Sequence, residues 1–234
     1  MMTINSEDPV IIPSISGDNI KALFTTKHGD PKKESILEEF VCQNSKKPEL
    51  ILKRLQSGYP LKQIHSNSIY KFHNWFIGRQ GDGMFTNRKF LPCVINVADC
   101  VPILIKNKNQ VCAVHAGWKG LKNGIIRKAV DMFSGPIKEL SAWIGPSISQ
   151  KNYEVDYKFI HTFSDVNVDY KSCFQNYNNK NFLDLQMLAK LQLLESKLTI
   201  IDTVQRCVFR EASSFYSFRR EKPKKRMSAI IWIE

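Results

Sequence analysis

Hydrophobic and polar positions along the chain follow two periods. Residues 22–26, 91–97, 101–105, 110–114, 140–144 and 227–233 are short apolar runs rich in β-branched and aromatic side chains, bounded by polar or turn-forming residues. That pattern predicts buried strands. Weaker runs at 10–12, before Pro13, and at 69–72 and 198–201 predict shorter strands. Helical spacing appears at 36–40 and 50–55. From Trp118, the positions Trp118, Leu121, Ile125, Ile126, Ala129, Val130 and Phe133 fall on one face and predict a single helix ended by Gly135-Pro136. Residues 154–163 read as helix, and 165–180 as a polar loop rich in Asn and Tyr. Residues 184–194 read as a further helix with Asp184 at its N-cap. No linker and no clear internal repeat interrupts the chain.

At 234 residues the chain is long enough for one domain with a full-sized core. Residues 1–20 read as a lead-in, and 21–234 as the domain itself. No apolar run approaches the roughly 20 residues that span a bilayer, so no membrane partner is expected. The first nine residues have neither the basic nor the apolar segment of a secretion signal. The six cysteines, Cys42, Cys93, Cys100, Cys112, Cys173 and Cys207, include no CxxC pair and read as reduced thiols of a cytoplasmic protein. Lys and Arg outnumber Asp and Glu by 34 to 22, which raises the question of nucleic acid. The basic residues are scattered, at Lys32-Lys33, Lys46-Lys47, Lys106, Lys108 and 219–226, and no nucleic-acid module accompanies them. A basic cleft for phosphate or another anionic substrate uses that charge more economically.

The chemistry concentrates where the apolar runs stop. Cys100, beside Asp99, separates two of them, and His115 closes a third ahead of Ala116-Gly117-Trp118. The two small residues after His115 suit a close approach to backbone. His65 lies upstream in Lys62-Gln63-Ile64-His65-Ser66. Taken singly, a buried cysteine is usually inert core and a histidine at a strand end is usually structural. Together, His65, Cys100 and His115 supply three protein ligands and leave a fourth position open, the arithmetic of a catalytic zinc. Alternation along an extended run puts Gln63 on the face of His65, either to orient a substrate or ligand, or as a surface polar residue. Asp82, in the turn cluster 79–83, either orients a histidine or water or builds an Asx-turn. His28 is either a site residue or a turn histidine.

The strings Ala98-Asp99-Cys100-Val101-Pro102, Ala113-Val114-His115-Ala116-Gly117-Trp118-Lys119-Gly120-Leu121 and Lys62-Gln63-Ile64-His65-Ser66 closely resemble the laccase-domain, YfiH-like family. Further matches follow in order: Phe24-Thr25-Thr26-Lys27-His28-Gly29, Gly81-Asp82-Gly83-Met84-Phe85-Thr86, Trp143-Ile144-Gly145-Pro146-Ser147-Ile148, Tyr153-Glu154-Val155, Leu183-Asp184-Leu185, Cys207 and Phe215-Tyr216-Ser217-Phe218-Arg219-Arg220. The resemblance runs from about Ala22 to the C-terminus. It implies an α/β (α+β mixed) single domain with mixed sheets and flanking helices. It also implies a purine nucleoside phosphorylase with adenosine deaminase activity, acting on adenosine or inosine, or on methylthioadenosine.

That reaction needs cations to hold phosphate and a wall for the base. The candidates are Lys27, Arg79, Lys119, Arg219 and Arg220 for phosphate, and Phe24, Gln63 and Phe215 for the purine. The expected metal is Zn2+ at His65, Cys100 and His115, with Cu2+ as the alternative. The expected partners are purine nucleosides and inorganic phosphate, with the protein a monomer or weak oligomer. The chain departs from the family pattern in three places. It has Lys27 where the family has Arg, a shortened loop after the His28-Gly29 pair, and no cysteine at 150–152 to serve as an extra copper ligand. The competing readings are a copper-dependent polyphenol oxidoreductase and a basic binding module without catalysis.

Overall fold

A computed structural model describes residues 8–29, 35–58, 60–75 and 77–234. The first seven residues and the Lys32-Lys33 pair lie outside the described residues. In order, the strands and helices are β1 (Val10–Ile11), β2 (Ile20–Thr25), α1 (Ser35–Asn44), α2 (Pro48–Gln56), β3 (Leu61–Lys62), β4 (Ile69–Lys71), β5 (Arg79–Gln80) and β6 (Gly83–Thr86). They continue with β7 (Cys93–Val97), β8 (Val101–Lys106), β9 (Val111–Ala116), α3 (Trp118–Lys122), α4 (Ile125–Asp131), β10 (Ser141–Ile144), β11 (Glu154–Val155) and α5 (Lys158–Ser164). The last are β12 (Phe174–Tyr177), β13 (Lys180–Leu183), α6 (Leu185–Glu195), β14 (Ile200–Thr203), α7 (Phe218–Glu221) and β15 (Met227–Ile233).

Two sheets carry the architecture. One has the order β1-β2-β15-β7 and is antiparallel throughout. The other, β14-β10-β8-β9-β6-β4, mixes antiparallel neighbours with parallel pairs at both ends. β7 and β15 pack against β9, and the core between the sheets includes Phe24, Phe85, Ile95, Ile103, Val114 and Trp143. The outer face of the smaller sheet is covered by α1 and α2. There Leu37, Val41 and Ile51 meet Leu23, Val94, Ile230 and Trp232. All seven residues of β15 are buried, because the strand has a protein layer on both faces. A strand covered on both sides reads as an unbroken apolar run. The expected mixed α/β single domain is the observed one, and no helix of the described residues is long and apolar enough to cross a membrane.

The structure corrects several local expectations. The helix read from Trp118 to Phe133 is two helices, divided at Gly124, which takes a left-handed φ of 72°. Glycine adopts that conformation without a Cβ penalty. The apolar stripe survives the break, and Leu121, Ile125, Ile126, Ala129 and Val130 are all buried. The polar loop at 165–180 contains a 3-10 turn over Val168–Cys173 and the hairpin β12–β13. Its tip, Asn178-Asn179, has two positive φ angles of 48° and 59°, as a tight two-residue hairpin turn requires. Three residues of β12 are exposed, so no apolar pattern announced it. Helix in the 154–163 region begins only at Lys158, after β11. In the described part of the lead-in, the short strand expected at 10–12 is present as β1 at the edge of its sheet. β1 pairs with β2, and Ile11 and Ile15 are buried. Asp184 does cap α6, its carboxylate accepting the Met187 N–H at 2.9 Å.

Candidate metal centre

Cys100 sits on the link between the two sheets, in the three residues that join β7 to β8. Asp99 turns that link with a φ of 94°, a conformation costly for a non-glycine residue. Three hydrogen bonds hold it there. The Asp99 carboxylate accepts Ser217 Oγ and the Arg219 N–H, each at 2.6 Å, and its carbonyl accepts the Ile148 N–H at 3.0 Å. His115 lies near the end of β9, opposite Pro102 of β8 in the sheet register. His65 follows β3 in a left-handed conformation with φ 59°, not in the extended run expected from the sequence. The register argument that put Gln63 on its face therefore does not hold.

These three side chains converge. Their ligand atoms all lie within 4.8 Å of one another. Cys100 Sγ is 3.7 Å from His65 Nε2, and the two imidazoles stand edge to face with centroids 4.8 Å apart. His115 is buried, Cys100 is half-buried and His65 is exposed, so the cluster opens to solvent on one side. Gly117 allows the approach. A Cβ on it would come within 2.9 Å of His65 Cδ2 and 3.1 Å of Cys100 Sγ. The small residues after His115 thus make room for the other two candidate ligands.

Asp82 organises the cluster from beneath. Its carboxylate is fully buried and accepts His115 Nδ1 at 2.8 Å, the His65 N–H at 3.0 Å, the Ser66 N–H at 2.6 Å and Ser66 Oγ at 2.7 Å. Burial alone would raise its pKa. The hydrogen bonds from His115 and Ser66 outweigh burial and bring it down to about 2. With Nδ1–H donated to Asp82, His115 turns Nε2 toward Cys100; that nitrogen carries a proton in the charged form and offers a lone pair to a metal once the proton is released, the carboxylate–histidine arrangement that orients metal ligands. Burial also opposes ionisation of Cys100 and His115, yet each charge stabilises the other. The Cys100 pKa is lowered and that of His115 raised. A thiolate and two imidazoles around one point, with the buried imidazole held by a carboxylate, fit a borderline-soft metal ion.

The other candidates separate into core, structural and exposed residues. Phe24 and Phe215 are fully buried, with ring centroids 6.3 Å apart. They pack the core and offer no open wall to a purine. Gln63 is consumed by the backbone of β7, its amide donating to the Asn96 carbonyl and accepting the Asn96 N–H, both at 2.8 Å. Arg220 is consumed likewise, donating to the carbonyls of Val208, Phe209 and Phe215 and pairing with Glu221. Lys27 donates to the Ala212 carbonyl and pairs with Glu221 at 3.3 Å. Arg79 lies over the Tyr70 ring and Lys119 over the Trp118 ring. Arg219 is exposed, stacks over Tyr153 with 5.1 Å to the ring centroid and donates to the Glu154 carbonyl at 3.2 Å.

His28 belongs to the turn Lys27–Gly29. Cys207 is not part of the cluster, and its sulfur accepts the Ser149 N–H at 3.4 Å and Asn152 Nδ2 at 3.3 Å. The sequence reading missed Ser217 and the pinning role of Asp99. The only sequence signal was the Asp99-Cys100 adjacency, which does not reveal a partner 118 residues away.

The family model described as multi-copper polyphenol oxidoreductase laccase matches residues 38–234. The chain is 30% identical over 176 residues to the purine nucleoside phosphorylase YfiH of Escherichia coli, covering 74% of this chain and 72% of that protein. It is 34% identical over 166 residues to a purine nucleoside phosphorylase of Rickettsia prowazekii, covering 68% and 69%. Among solved structures, a Neisseria meningitidis protein, NMB0706, superposes with a TM-score of 0.80 at 24% identity, covering 97% of this chain and all of that one. YlmD from Geobacillus stearothermophilus gives a TM-score of 0.72 at 22% identity, over 92% of each chain. These two likenesses establish the shared fold.

Proposed function

The chain belongs to the multi-copper polyphenol oxidoreductase laccase family, whose YfiH-like relatives are named purine nucleoside phosphorylases, and from that premise we propose that it is a zinc-dependent purine nucleoside phosphorylase with adenosine deaminase as a side activity. The observation that carries the reading is the convergence of His65, Cys100 and His115 over the buried Asp82. Among the described residues this is the one group of three or more His, Cys, Asp and Glu side chains suited to a metal. That supports a mononuclear centre over a multi-copper oxidase. Zinc held by His65, Cys100 and His115 would supply Lewis acidity to a substrate reaching the exposed side of the cluster.

In phosphorolysis a phosphate oxygen attacks C1′ of the ribose. The bond from C1′ to the purine breaks, and the purine takes up a proton as it leaves. The chain must therefore hold a phosphate dianion beside the sugar. Arg219 is the preferred group. Its main chain is tied to the Asp99–Cys100 link, its guanidinium is stacked on Tyr153, and it is exposed. A guanidinium carries five N–H donors in a fixed fork, and one bond to Glu154 leaves others for phosphate. Lys27 is the weaker candidate because Glu221 and Ala212 already engage it. Deamination adds water at C6 of adenosine and releases ammonia. Nucleosides and inorganic phosphate are the proposed partners. All six cysteines are free thiols, which supports a reducing, cytoplasmic location.

The test is incubation of purified, zinc-loaded protein with adenosine, with and without phosphate, resolving adenine, inosine and hypoxanthine. Phosphate-dependent release of base is expected, with inosine as a minor product. Base release that proceeds equally well without phosphate rejects phosphorolysis. Oxidation of a polyphenol by the copper-loaded protein, without turnover of nucleosides, establishes the oxidase instead.

A further inference from the structure

A second cleft lies at the same end of the six-stranded sheet as the metal centre, displaced toward its β14 edge. Cys100 immediately precedes β8, and β10 runs antiparallel to β8, so the carboxyl end of β10 is on that side too. β14 is parallel to β10 and ends beside it. Helix α6 precedes β14 and packs against it. Gln186, in the first turn of α6, donates to the Gly145 carbonyl at 2.7 Å and the Val204 carbonyl at 3.1 Å, one residue past each strand. The start of the helix is thereby pinned over the carboxyl ends of a parallel strand pair. In open, mostly parallel α/β sheets, ligands bind in the crevice outside such ends, and here the edge pair β10–β14 supplies two of them.

The cleft has a volume of about 810 Å³ and none of the metal-centre residues line it. Its basic residues are Lys151, Lys190, Arg206 and Arg210. Its two carboxylates are already engaged. Asp184 caps α6, while Glu211 pairs with Arg206 and accepts the Cys207 N–H at 3.0 Å. Lys151, Lys190 and Arg210 are exposed and make no ion pair among the described residues.

Four buried side-chain polar atoms of the described residues lack a hydrogen-bond partner, and two of them, Thr203 Oγ1 and Arg206 Nη1, belong to residues of this wall. Both atoms have essentially no accessible surface, so they reach a bound anion only if the wall side chains shift; the exposed Lys151, Lys190 and Arg210 are the cations that the cleft presents directly.

We propose that this cleft is a binding site for a phosphate-bearing small molecule of nucleotide size. The cationic residues select the phosphate, and the volume suits a body much larger than inorganic phosphate. The site is separate from the metal centre, so the proposal does not depend on the reaction assigned there.

The experiment is calorimetric titration of the full chain with adenosine 5′-monophosphate, with adenosine and inorganic phosphate as separate arms. The same titrations are run on a Lys190→Glu/Arg210→Glu variant. Both positions are exposed, and thermal unfolding verifies that the variant folds. The monophosphate is expected to bind more tightly than inorganic phosphate and to lose at least tenfold in affinity in the variant, while any binding of adenosine is unchanged. Hydrogen exchange is expected to show protection by the monophosphate at 184–190 and 203–211. Absence of monophosphate binding at millimolar concentration, an unchanged affinity in the variant, or protection confined to the segments carrying His65, Cys100 and His115 overturns the proposal. Inorganic phosphate binding as tightly as the monophosphate overturns the nucleotide-size assignment.

Discussion

The Asp82 carboxylate, fully buried, stands 2.8 Å from His115 Nδ1 while also accepting the backbone N–H groups of His65 and Ser66. One side chain thus orients two of the three candidate metal ligands, one through its ring and the other through its main chain. That economy makes Asp82 the residue whose loss should separate ligand identity from ligand placement.

Asp82→Asn keeps the shape and removes the charge. Zinc affinity is expected to fall by about 10- to 100-fold, the usual effect of removing an outer-shell carboxylate. Competition against a chromophoric chelator measures it. An affinity within twofold of the parent shows that Asp82 does not orient the ligands.

The same carboxylate makes stability depend on pH. Its folded pKa is depressed from 3.8 to about 2, so its contribution is fully present above about pH 4 and is lost as pH falls through about 2. The shift corresponds to about 2 kcal/mol. Urea unfolding of the metal-free parent and of Asp82→Asn, run at several values from pH 6 down to pH 2, should show the gap between them narrowing as pH falls. A gap independent of pH contradicts the assignment.

Gly117→Ala tests the packing around the cluster. The added Cβ meets His65 Cδ2 at 2.9 Å and Cys100 Sγ at 3.1 Å, closer than a methyl group and those atoms tolerate without movement. The expected result is weakened metal binding with a thermal midpoint, measured without metal, lowered by only ~2–4 °C, equivalent to roughly 1 kcal/mol. Metal stoichiometry and affinity equal to the parent would show that the cluster has slack.

Arg219 and Arg220 are adjacent and chemically identical, yet their variants should fail differently. Arg220→Ala removes the donors to three backbone carbonyls and is expected to cost about 2–4 kcal/mol of stability. Arg219→Ala should cost less than about 1 kcal/mol, since its side chain is exposed. It should raise the KM for phosphate more than that for nucleoside. Denaturant unfolding and initial-rate kinetics on both variants provide the check. A reversed pattern removes Arg219 from the phosphate site.

Much of the fold was legible because burial on both faces leaves a local trace. β7, β8, β9 and β15 each appear in the sequence as compact apolar runs, and each is almost wholly buried. The three members of the candidate metal cluster were legible too, since a cysteine and two histidines at the margins of such runs are chemically conspicuous. The hairpin β12–β13 left no such trace, because three of the four residues of β12, at the edge of a three-stranded sheet, face solvent. Asn178-Asn179 was its one local sign.

What the sequence by itself determined is therefore the set of strand-forming runs, the helix-capping Asp184 and the donor chemistry of His65, Cys100 and His115. These rest on local pattern and on the nature of single side chains. Only the tertiary structure decided which polar side chains are spent on the protein's own backbone. Gln63 closes on Asn96, Arg220 on the carbonyls of the 208–215 segment and Asp99 on Ser217. Each of these bonds joins segments whose meeting depends on the folded path of the chain, and each takes a group out of water that sequence alone leaves available for a substrate. The same physics moved Phe24 and Phe215 from the site to the core. An aromatic ring in a strand carries no local mark of whether it faces a ligand or another sheet.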